Sequence, residues 1–242
     1  MAVRLAGLDF DDMDVMAAAA WIAARPAGAP FSYVVTPNAD HLVRLDRDPG
    51  LRMVYRQAEL CLLDSRVVAC MARLLRLGTP SVAPGSDISA CLLGRHVGSG
   101  DRITIVGLSP IWLPALVARY GLSAPAHYDP PMGFDRDPAA LAATVAFVRA
   151  NPARFVFLAT GSPRQERLAA AIVAAGGATG TGLCIGASLE FLVGARRRAP
   201  TIFRRAGLEW LFRLVCEPRR LWRRYLVDSP RVIALLARQR FG

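Results

Sequence analysis

Five short apolar runs, each followed by a turn and a helical pattern, constrain what this chain can fold into. They read "FSYVVTPN", "AELCLLDS", "RITIVGLSP", "ARFVFLATGSP" and "GTGLCIGAS". Continuously apolar strands that alternate with helices are typical of a parallel sheet covered by helices on both faces. At 242 residues the chain is long enough for one such domain and an extra element. We therefore predict an α/β domain over residues 1–193 and a helical, arginine-rich extension over residues 194–242.

The net charge of +11 belongs almost entirely to the extension. Residues 194–242 hold thirteen arginines against Glu209, Glu217 and Asp228, whereas residues 1–193 hold seventeen arginines against sixteen acids. An anionic partner is therefore expected to bind the extension.

After Pro218 the extension has the pattern of a basic amphipathic helix. At about 100° per residue, four arginines share one face and four apolar residues share the other: Arg219, Arg220, Arg223 and Arg224 against Leu221, Trp222, Tyr225 and Leu226. Such a helix can lie on an anionic membrane, contact nucleic-acid phosphates or pack onto the α/β body. The pattern alone leaves these alternatives open.

The cysteines and the N-terminal residues predict a cytoplasmic protein without a transmembrane helix. The five cysteines show no CxxC spacing, and four or more of them have apolar neighbours, as buried thiols in a reducing compartment do. Aspartates stand where a signal peptide needs positive charge, and the run "VMAAAAWIAA" is too short to span a bilayer.

Polar residues directly after the predicted strands are the candidates for a binding site, because ligands of open parallel sheets bind beyond the carboxyl ends of the strands. Thr36 and Asn38 follow the first run, and Asp64 follows the second. All three are also good helix-capping residues. For Thr36 and Asn38, capping and anion binding can coexist. Asp64 is either a general base at the end of a hydrophobic strand or the cap of a helix beginning near Val67.

The stretch "ATGSPRQE" predicts a capped helix start. Ser162 would be the N-cap, Pro163 the first helical residue and Gln165 the partner in a capping box. That arrangement does not exclude contact between Gln165 and a phosphate or sugar. A G-x-G-x-x-G motif and a G-x-x-x-x-G-K-[ST] motif are both missing from the sequence. A dehydrogenase and a P-loop nucleotidase are therefore disfavoured.

The sequence offers little support for a metal site. "DFDDMD" contains the D-x-D spacing that many glycosyltransferases use to hold a divalent metal, but it precedes a helix, where acids are favoured for structural reasons. His41, His96 and His127 are scattered, and no two of them have metal-ligand spacing on one element. No metal ligands are predicted.

Five stretches resemble the WecG/TagA/CpsF glycosyltransferases: "VVTPNADHL", "LLDSRVV", "GSPRQE", "GASLEFLVGARRRAP" and "GLEWLFRLVCEPRRLWRRY". They span most of the chain, and the last is the most specific. The resemblance implies a Rossmann-like enzyme that transfers a sugar, with inversion, from a nucleotide donor, usually UDP-linked, to a saccharide on a polyprenyl diphosphate. It also implies a role in cell-surface polysaccharide biosynthesis and no need of a metal or other cofactor.

The resemblance also suggests roles for individual residues. Asp64 would be the general base, and Thr36, Asn38 and Gln165 would line the donor and acceptor pocket. Three arginines of the extension would reach the diphosphates: Arg213, Arg220 and Arg223.

Two departures from the family pattern concern the substrate more than the activity. Ser65-Arg66 follows Asp64 where the family usually has glycine, and Leu189-Glu190 replaces the usual Phe-Asp pair. Glycine permits close approach or a positive φ, so the pocket beside the base is expected to differ in shape. Glu190 keeps the carboxylate, one methylene further out, as a substrate-binding candidate.

The leading hypothesis is thus a peripheral glycosyltransferase at the inner face of the cell membrane. Its partners would be a nucleotide sugar, a lipid-linked saccharide and an anionic membrane surface, without nucleic acid and with possible homo-oligomerisation. The alternative is a nucleic-acid-binding α/β protein with a basic arm. The near-neutral body and the lack of an RRM, KH or helix-turn-helix signature count against it. A third possibility is a family member that has lost catalysis and assists assembly.

Overall fold

The computed structural model describes residues 2–197, 199–200, 202–203, 208–223, 226–227 and 230–242. The strands are β1 (Ala2–Leu5), β2 (Leu8–Asp11), β3 (Ser32–Val35), β4 (Leu60–Cys61), β5 (Ile103–Gly107), β6 (Ala126–Tyr128), β7 (Phe155–Ala159) and β8 (Thr181–Cys184). Six of them form a parallel sheet in the order β4-β3-β8-β7-β5-β6. The predicted parallel α/β architecture is confirmed.

Helices connect these strands within the part of the chain that the structure describes. They are α1 (Val15–Ala24), α2 (Ala39–Arg47), α3 (Pro49–Arg56), α4 (Arg66–Leu74), α5 (Gly85–Cys91), α6 (Leu113–Tyr120), α7 (Pro138–Ala150), α8 (Arg164–Ala175), α9 (Ser188–Leu192), α10 (Glu209–Cys216), α11 (Pro218–Arg223) and α12 (Arg231–Phe241).

Apolar side chains pack on both faces of the sheet, as continuously apolar strands require. Successive strand residues point to opposite faces, so Val156 and Leu158 of β7 join one core cluster while Phe155 and Phe157 join the other. Residues of α2, α3, α4, α7, α8 and α12 belong to the first cluster, and residues of α1, α5, α6 and α9 to the second. The sheet is therefore sandwiched between two helical layers.

The sequence patterns did not indicate the β1–β2 hairpin or the edge strand β6. The hairpin explains the acidic cluster at the start of the chain. Asp11 accepts a hydrogen bond from the Cys61 amide at 2.9 Å, and Asp12 accepts one from the Ser81 amide at 2.8 Å. Asp14 caps α1. The predicted structural role at the helix start applies to Asp14, whereas Asp11 and Asp12 bind backbone amides of other segments.

The cysteine prediction is only partly right. Cys61 and Cys184 are buried, but Cys70 and Cys216 are exposed, and all are free thiols. Cys70 lies on α4, whose neighbouring residues turn toward the core while Cys70 turns outward. Apolar neighbours in sequence do not bury a helical residue, because adjacent positions lie about 100° apart.

The end of the extension packs onto the α/β body. Val232 and Leu236 of α12 are buried in the first core cluster. Gln239 clamps the hairpin, since its Oε1 accepts a hydrogen bond from the Ala6 amide at 2.7 Å and its Nε2 donates one to the Arg4 carbonyl at 2.9 Å. The described helices include none long and apolar enough to cross a bilayer.

Candidate active site

A cleft of about 1270 Å³ opens at the carboxyl edge of the parallel sheet. The chain leaves β3 for the edge strand β4 and then crosses to β5 on the other side of the sheet. A cleft is expected where such connections diverge. Five of the predicted site residues line it: Thr36, Asn38, Asp64, Gln165 and Glu190. The structure brings these five residues together in one cleft, and their assignment to a functional site stays a prediction.

Thr36 lies at the floor of the cleft, where it is nearly buried. Its Oγ1 donates to the Cys184 carbonyl at 3.5 Å, which links the ends of β3 and β8. A Cβ atom at Gly85 would lie 2.9 Å from this hydroxyl oxygen. Glycine at this position therefore allows the start of α5 to approach the floor closely.

Asn38 is the N-cap of α2. Its Oδ1 accepts hydrogen bonds from the amides of Asp40 at 3.1 Å and His41 at 3.3 Å. The predicted capping role is confirmed. Because the same residue lines the cleft, capping also fixes where its side chain stands relative to a bound ligand.

Asp64 lies half-buried at the rim of the cleft, directly after Leu63, which forms a single bridge to Val82 beyond the end of β4. Its amide donates to the Pro37 carbonyl at 3.0 Å, which fixes it beside the end of β3. Ser65, not Asp64, is the N-cap of α4, and the Ser65 side chain accepts from the Val68 amide at 3.2 Å. The capping alternative for Asp64 is therefore wrong. Ser65, which stands where the family usually has glycine, caps the helix instead.

The predicted capping box at the start of α8 is also wrong. The helix begins at Arg164 after Pro163, without a side-chain cap. The Ser162 Oγ instead accepts from Arg44 Nη1 at 3.2 Å and lies 3.4 Å from the Tyr55 hydroxyl. Gln165 is buried, and its Oε1 accepts from the Gly186 amide at 2.8 Å. Tertiary partners on α2, α3 and the β8–α9 loop have replaced the local cap.

Glu166 was not predicted as a site residue. It is 1% exposed, and its Oε1 accepts hydrogen bonds from Tyr55 Oη and Gln165 Nε2, each at 2.9 Å. Burial raises the pKa of this carboxyl group, against the lowering effect of the Gln165 hydrogen bond. One signal was present in the sequence. Glu166 stands three residues before the buried Ala169, and residues three apart lie on the same side of a helix.

Comparison with known proteins identifies the family of this chain. The sequence model of the glycosyl transferase WecG/TagA/CpsF family matches residues 3–242. The chain belongs to this family. It is a glycosyltransferase, and the similarity covers the sheet, the cleft and the extension.

One relative is an N-acetylglucosaminyldiphosphoundecaprenol N-acetyl-beta-D-mannosaminyltransferase from Bacillus spizizenii strain W23. It is 27% identical over 221 residues, which are 86% of this chain and 80% of the relative.

The extension of the glycosyltransferase contributes one wall of the cleft. Glu209, Trp210, Leu226, Pro230, Val232 and Ile233 line it. Arg223 is exposed and is not among the described residues that line the cleft. The side chains of Arg213 and Arg220 lie outside the described part. The proposed diphosphate contacts of these three arginines stay predictions.

The rim of the cleft also carries a charged pair. Glu190 accepts from Arg196 Nε at 2.6 Å, and both side chains are about one-third exposed. Over the described ranges, no three His, Cys, Asp or Glu side chains gather as a metal site would require. Metal-independent transfer stays a prediction for this glycosyltransferase.

Proposed function

We propose that the protein transfers a sugar from a nucleotide donor, UDP-linked, to a saccharide carried on a polyprenyl diphosphate, with inversion at the anomeric carbon. The observation that carries the proposal is the placement of Asp64. It is a carboxylate outside the helix cap, half-buried at the rim of a cleft in a WecG/TagA/CpsF glycosyltransferase. The name of the Bacillus spizizenii relative, which specifies N-acetylglucosaminyldiphosphoundecaprenol, supports the lipid-linked substrate class.

Asp64 would act as the general base in a single displacement. It takes the proton of the acceptor hydroxyl while that oxygen forms a bond to the anomeric carbon. The bond from that carbon to the donor diphosphate breaks in the same step, and the nucleoside diphosphate leaves with the bonding electrons. One displacement on the face opposite the leaving group inverts the anomeric centre. Thr36, Asn38 and Gln165 would orient the sugar above the floor of the cleft.

Arginines would stabilise the charge on the leaving diphosphate. Arg44, Arg66, Arg164 and Arg196 line the cleft. Forked guanidinium donors suit phosphate oxygens, and positive charge near a developing oxyanion lowers the barrier. Arg213, Arg220 and Arg223 of the extension would join them when the lipid-linked acceptor is bound.

The extension would also hold the enzyme at the inner face of the cell membrane. On α11, Leu221 is buried whereas Trp222 is about half exposed beside the exposed Arg223. An aromatic ring next to a guanidinium suits an anionic lipid surface. Co-flotation with vesicles containing anionic lipid, but not with neutral vesicles, is the expected result. Binding to RNA or DNA in preference to both would contradict it.

The chemical proposal is tested by offering the purified protein a panel of UDP-sugars together with a polyprenyl-diphosphate saccharide. Mass spectrometry is expected to detect one added sugar on the lipid, and NMR of the product is expected to show the anomeric configuration opposite to that of the donor. Transfer with retained configuration would contradict the inverting mechanism. Lack of transfer from every UDP-sugar, with transfer from another nucleotide sugar, would contradict the UDP assignment alone.

A further inference from the structure

Glu166 is the least expected charged group in the molecule. It lies in the first turn of α8 but faces the protein interior, where it is 1% exposed. An ionisable group is costly to bury unless it is paired. The described residues supply no arginine ion pair to Glu166, and its Oε2 has no hydrogen-bond partner among them. Packing alone does not require a carboxylate here.

The hydrogen bonds to Glu166 fix the orientation of a side chain in the cleft. A carboxylate oxygen accepts hydrogen bonds, so Glu166 Oε1 holds the amino end of the Gln165 amide, whose Nε2 donates to it at 2.9 Å. The carbonyl end of the amide then faces Gly186, whose amide donates to Gln165 Oε1 at 2.8 Å. The second hydrogen on Nε2 has no acceptor within the described residues, and Gln165 lines the cleft.

The bonds from Glu166 through Gln165 to Gly186 form one branch of a hydrogen-bond network. A second branch runs from Glu166 through Tyr55 to the α2 side of the cleft. The Tyr55 hydroxyl donates to Glu166 Oε1, so its oxygen faces His41 Nδ1 and Ser162 Oγ, each 3.4 Å away. Ser162 in turn accepts from Arg44. This branch holds the β7–α8 loop against α2, whereas the Gln165 branch holds α8 against the β8–α9 loop.

We infer that Glu166 is a positioning residue for sugar transfer, which acts by holding the Gln165 side-chain amide with its N–H donor directed to the bound substrate. Without the carboxylate, the amide can rotate and exchange its donor and acceptor ends. The bond from Gly186 and the donor directed to the substrate are then lost together. The inference rests on the proposed role of Gln165 in the substrate pocket.

A double-mutant cycle tests the route through Gln165. Glu166→Gln keeps the size of the side chain but offers an amide that can face Gln165 with either end. We expect it to lower kcat/KM for the donor by about tenfold, the effect of weakening one hydrogen bond to a charged group. Gln165→Ala should lower kcat/KM at least as much, and adding Glu166→Gln to that variant should change it less than about twofold. Losses that multiply would overturn the inference.

Tyr55→Phe separates the two branches, because it removes the Tyr55 donor and leaves the Gln165–Glu166 bond in place. We expect a smaller loss of kcat/KM than in Glu166→Gln. An equal loss would mean that Glu166 acts through Tyr55 and Ser162 instead. Glu59→Gln is the matched control, since Glu59 is exposed and lies just before β4, at the amino edge of the sheet.

Hydrogen exchange at the Gly186 amide gives a measurement that does not depend on turnover. In Glu166→Gln this amide should exchange several-fold faster than in the parent protein, while Glu59→Gln leaves it unchanged. Unchanged protection in Glu166→Gln would overturn the inference even if the enzyme is active. Faster exchange in a protein that transfers no sugar from any donor would count against the proposed function only.

Discussion

Asp64 and Glu166 follow two strands of the same sheet, but one carboxylate stands at the cleft and the other is buried behind it. Asp64 precedes the cap of α4 and is therefore outside the helix. Glu166 lies within the first turn of α8, on the side that meets Tyr55 of α3. The position of each residue relative to the helix start decides its exposure.

That difference in exposure separates two kinds of chemistry. A carboxylate at the rim of a cleft can exchange a proton with a bound hydroxyl group. A carboxylate inside the protein has no such access, but it holds neighbouring donors firmly because few water molecules compete with it. We therefore expect neutralisation of Asp64 to remove catalysis, and neutralisation of Glu166 to weaken it while changing the pH dependence of stability.

Asp64→Asn should have the largest effect. The amide keeps the shape of the side chain but cannot take the acceptor proton, so kcat should fall by roughly 10²–10⁴-fold with the circular dichroism spectrum unchanged. Steady-state kinetics with the best donor of the panel measures this loss. Asp9→Asn is the matched control, since Asp9 is an exposed residue of the β1–β2 hairpin whose carboxylate lies 4.0 Å from Arg4 Nη1. Parent-like turnover in Asp64→Asn would show that another group accepts the proton.

Glu166→Gln should alter how stability depends on pH. Because burial raises the pKa of Glu166, the folded state binds this proton more tightly than the unfolded chain does. The resulting stabilisation is complete below the ordinary glutamate pKa and is lost as pH rises through the raised pKa. Glutamine has no such loss, so the Tm of the variant minus that of the parent should increase across this window.

Thermal unfolding followed from about pH 4 to about pH 8 measures the difference. The exposed Glu59→Gln variant is the control for the loss of one surface carboxylate. A parallel curve for Glu166→Gln would mean that Glu166 titrates as an exposed glutamate does. Greater stability at neutral pH combined with lower kcat/KM is the outcome that a purely structural role would not produce.

The sequence predicted which residues meet in the cleft because one geometric rule applies to all of them. Parallel strands end at the same edge, so polar residues in the short segments that follow β3, β4, β7 and β8 must lie near one another. The rule needs only strand positions, which the apolar runs supplied. It placed Thr36, Asp64 and Gln165 together, although Thr36 and Gln165 are 129 positions apart in the sequence, without any knowledge of side-chain contacts.

The local partners of those residues could not be predicted in the same way. Asp64 and Ser65 are adjacent and both cap helices well, so a register difference of one residue decides which of them faces the cleft. At α8 the predicted capping box does not form, because Ser162 binds Arg44 and Glu166 binds Tyr55. Both partners come from helices more than 100 residues earlier in the sequence, so the local pattern could not reveal them. The edge strand β6 has only three residues, too few for an apolar run.

Substitution of Ser65 tests whether this residue, and not Asp64, caps α4. Ser65→Ala removes the cap of α4 and should lower the free energy of unfolding by about 1 kcal/mol, whereas Ser65→Gly should lower it by only a few tenths. Urea denaturation of both variants beside the parent measures these changes. If Ser65→Ala were as stable as the parent but had lost transfer activity, Asp64 would have moved to cap α4. Asp64 and Ser65 would then be interchangeable as capping residues.

Glu190 provides an intermediate case, and its neutralisation should have the smallest effect on stability. Its carboxylate is about one-third exposed and is paired with Arg196, so Glu190→Gln should change the free energy of unfolding by less than about 1 kcal/mol. Because Glu190 lines the cleft, we expect a larger change in KM for the donor than in kcat.

Asp46→Asn is the control for Glu190→Gln, since Asp46 is similarly exposed and pairs with Arg52 and Arg238 away from the cleft. It should match Glu190→Gln in urea denaturation and leave KM for the donor unchanged. An equal KM for Glu190→Gln and the parent would show that a partly exposed carboxylate at the rim is only structural. A position in the cleft would then not be enough to give a carboxylate a role in substrate binding. The difference between Asp64 and Glu166 would be due only to proton transfer at Asp64.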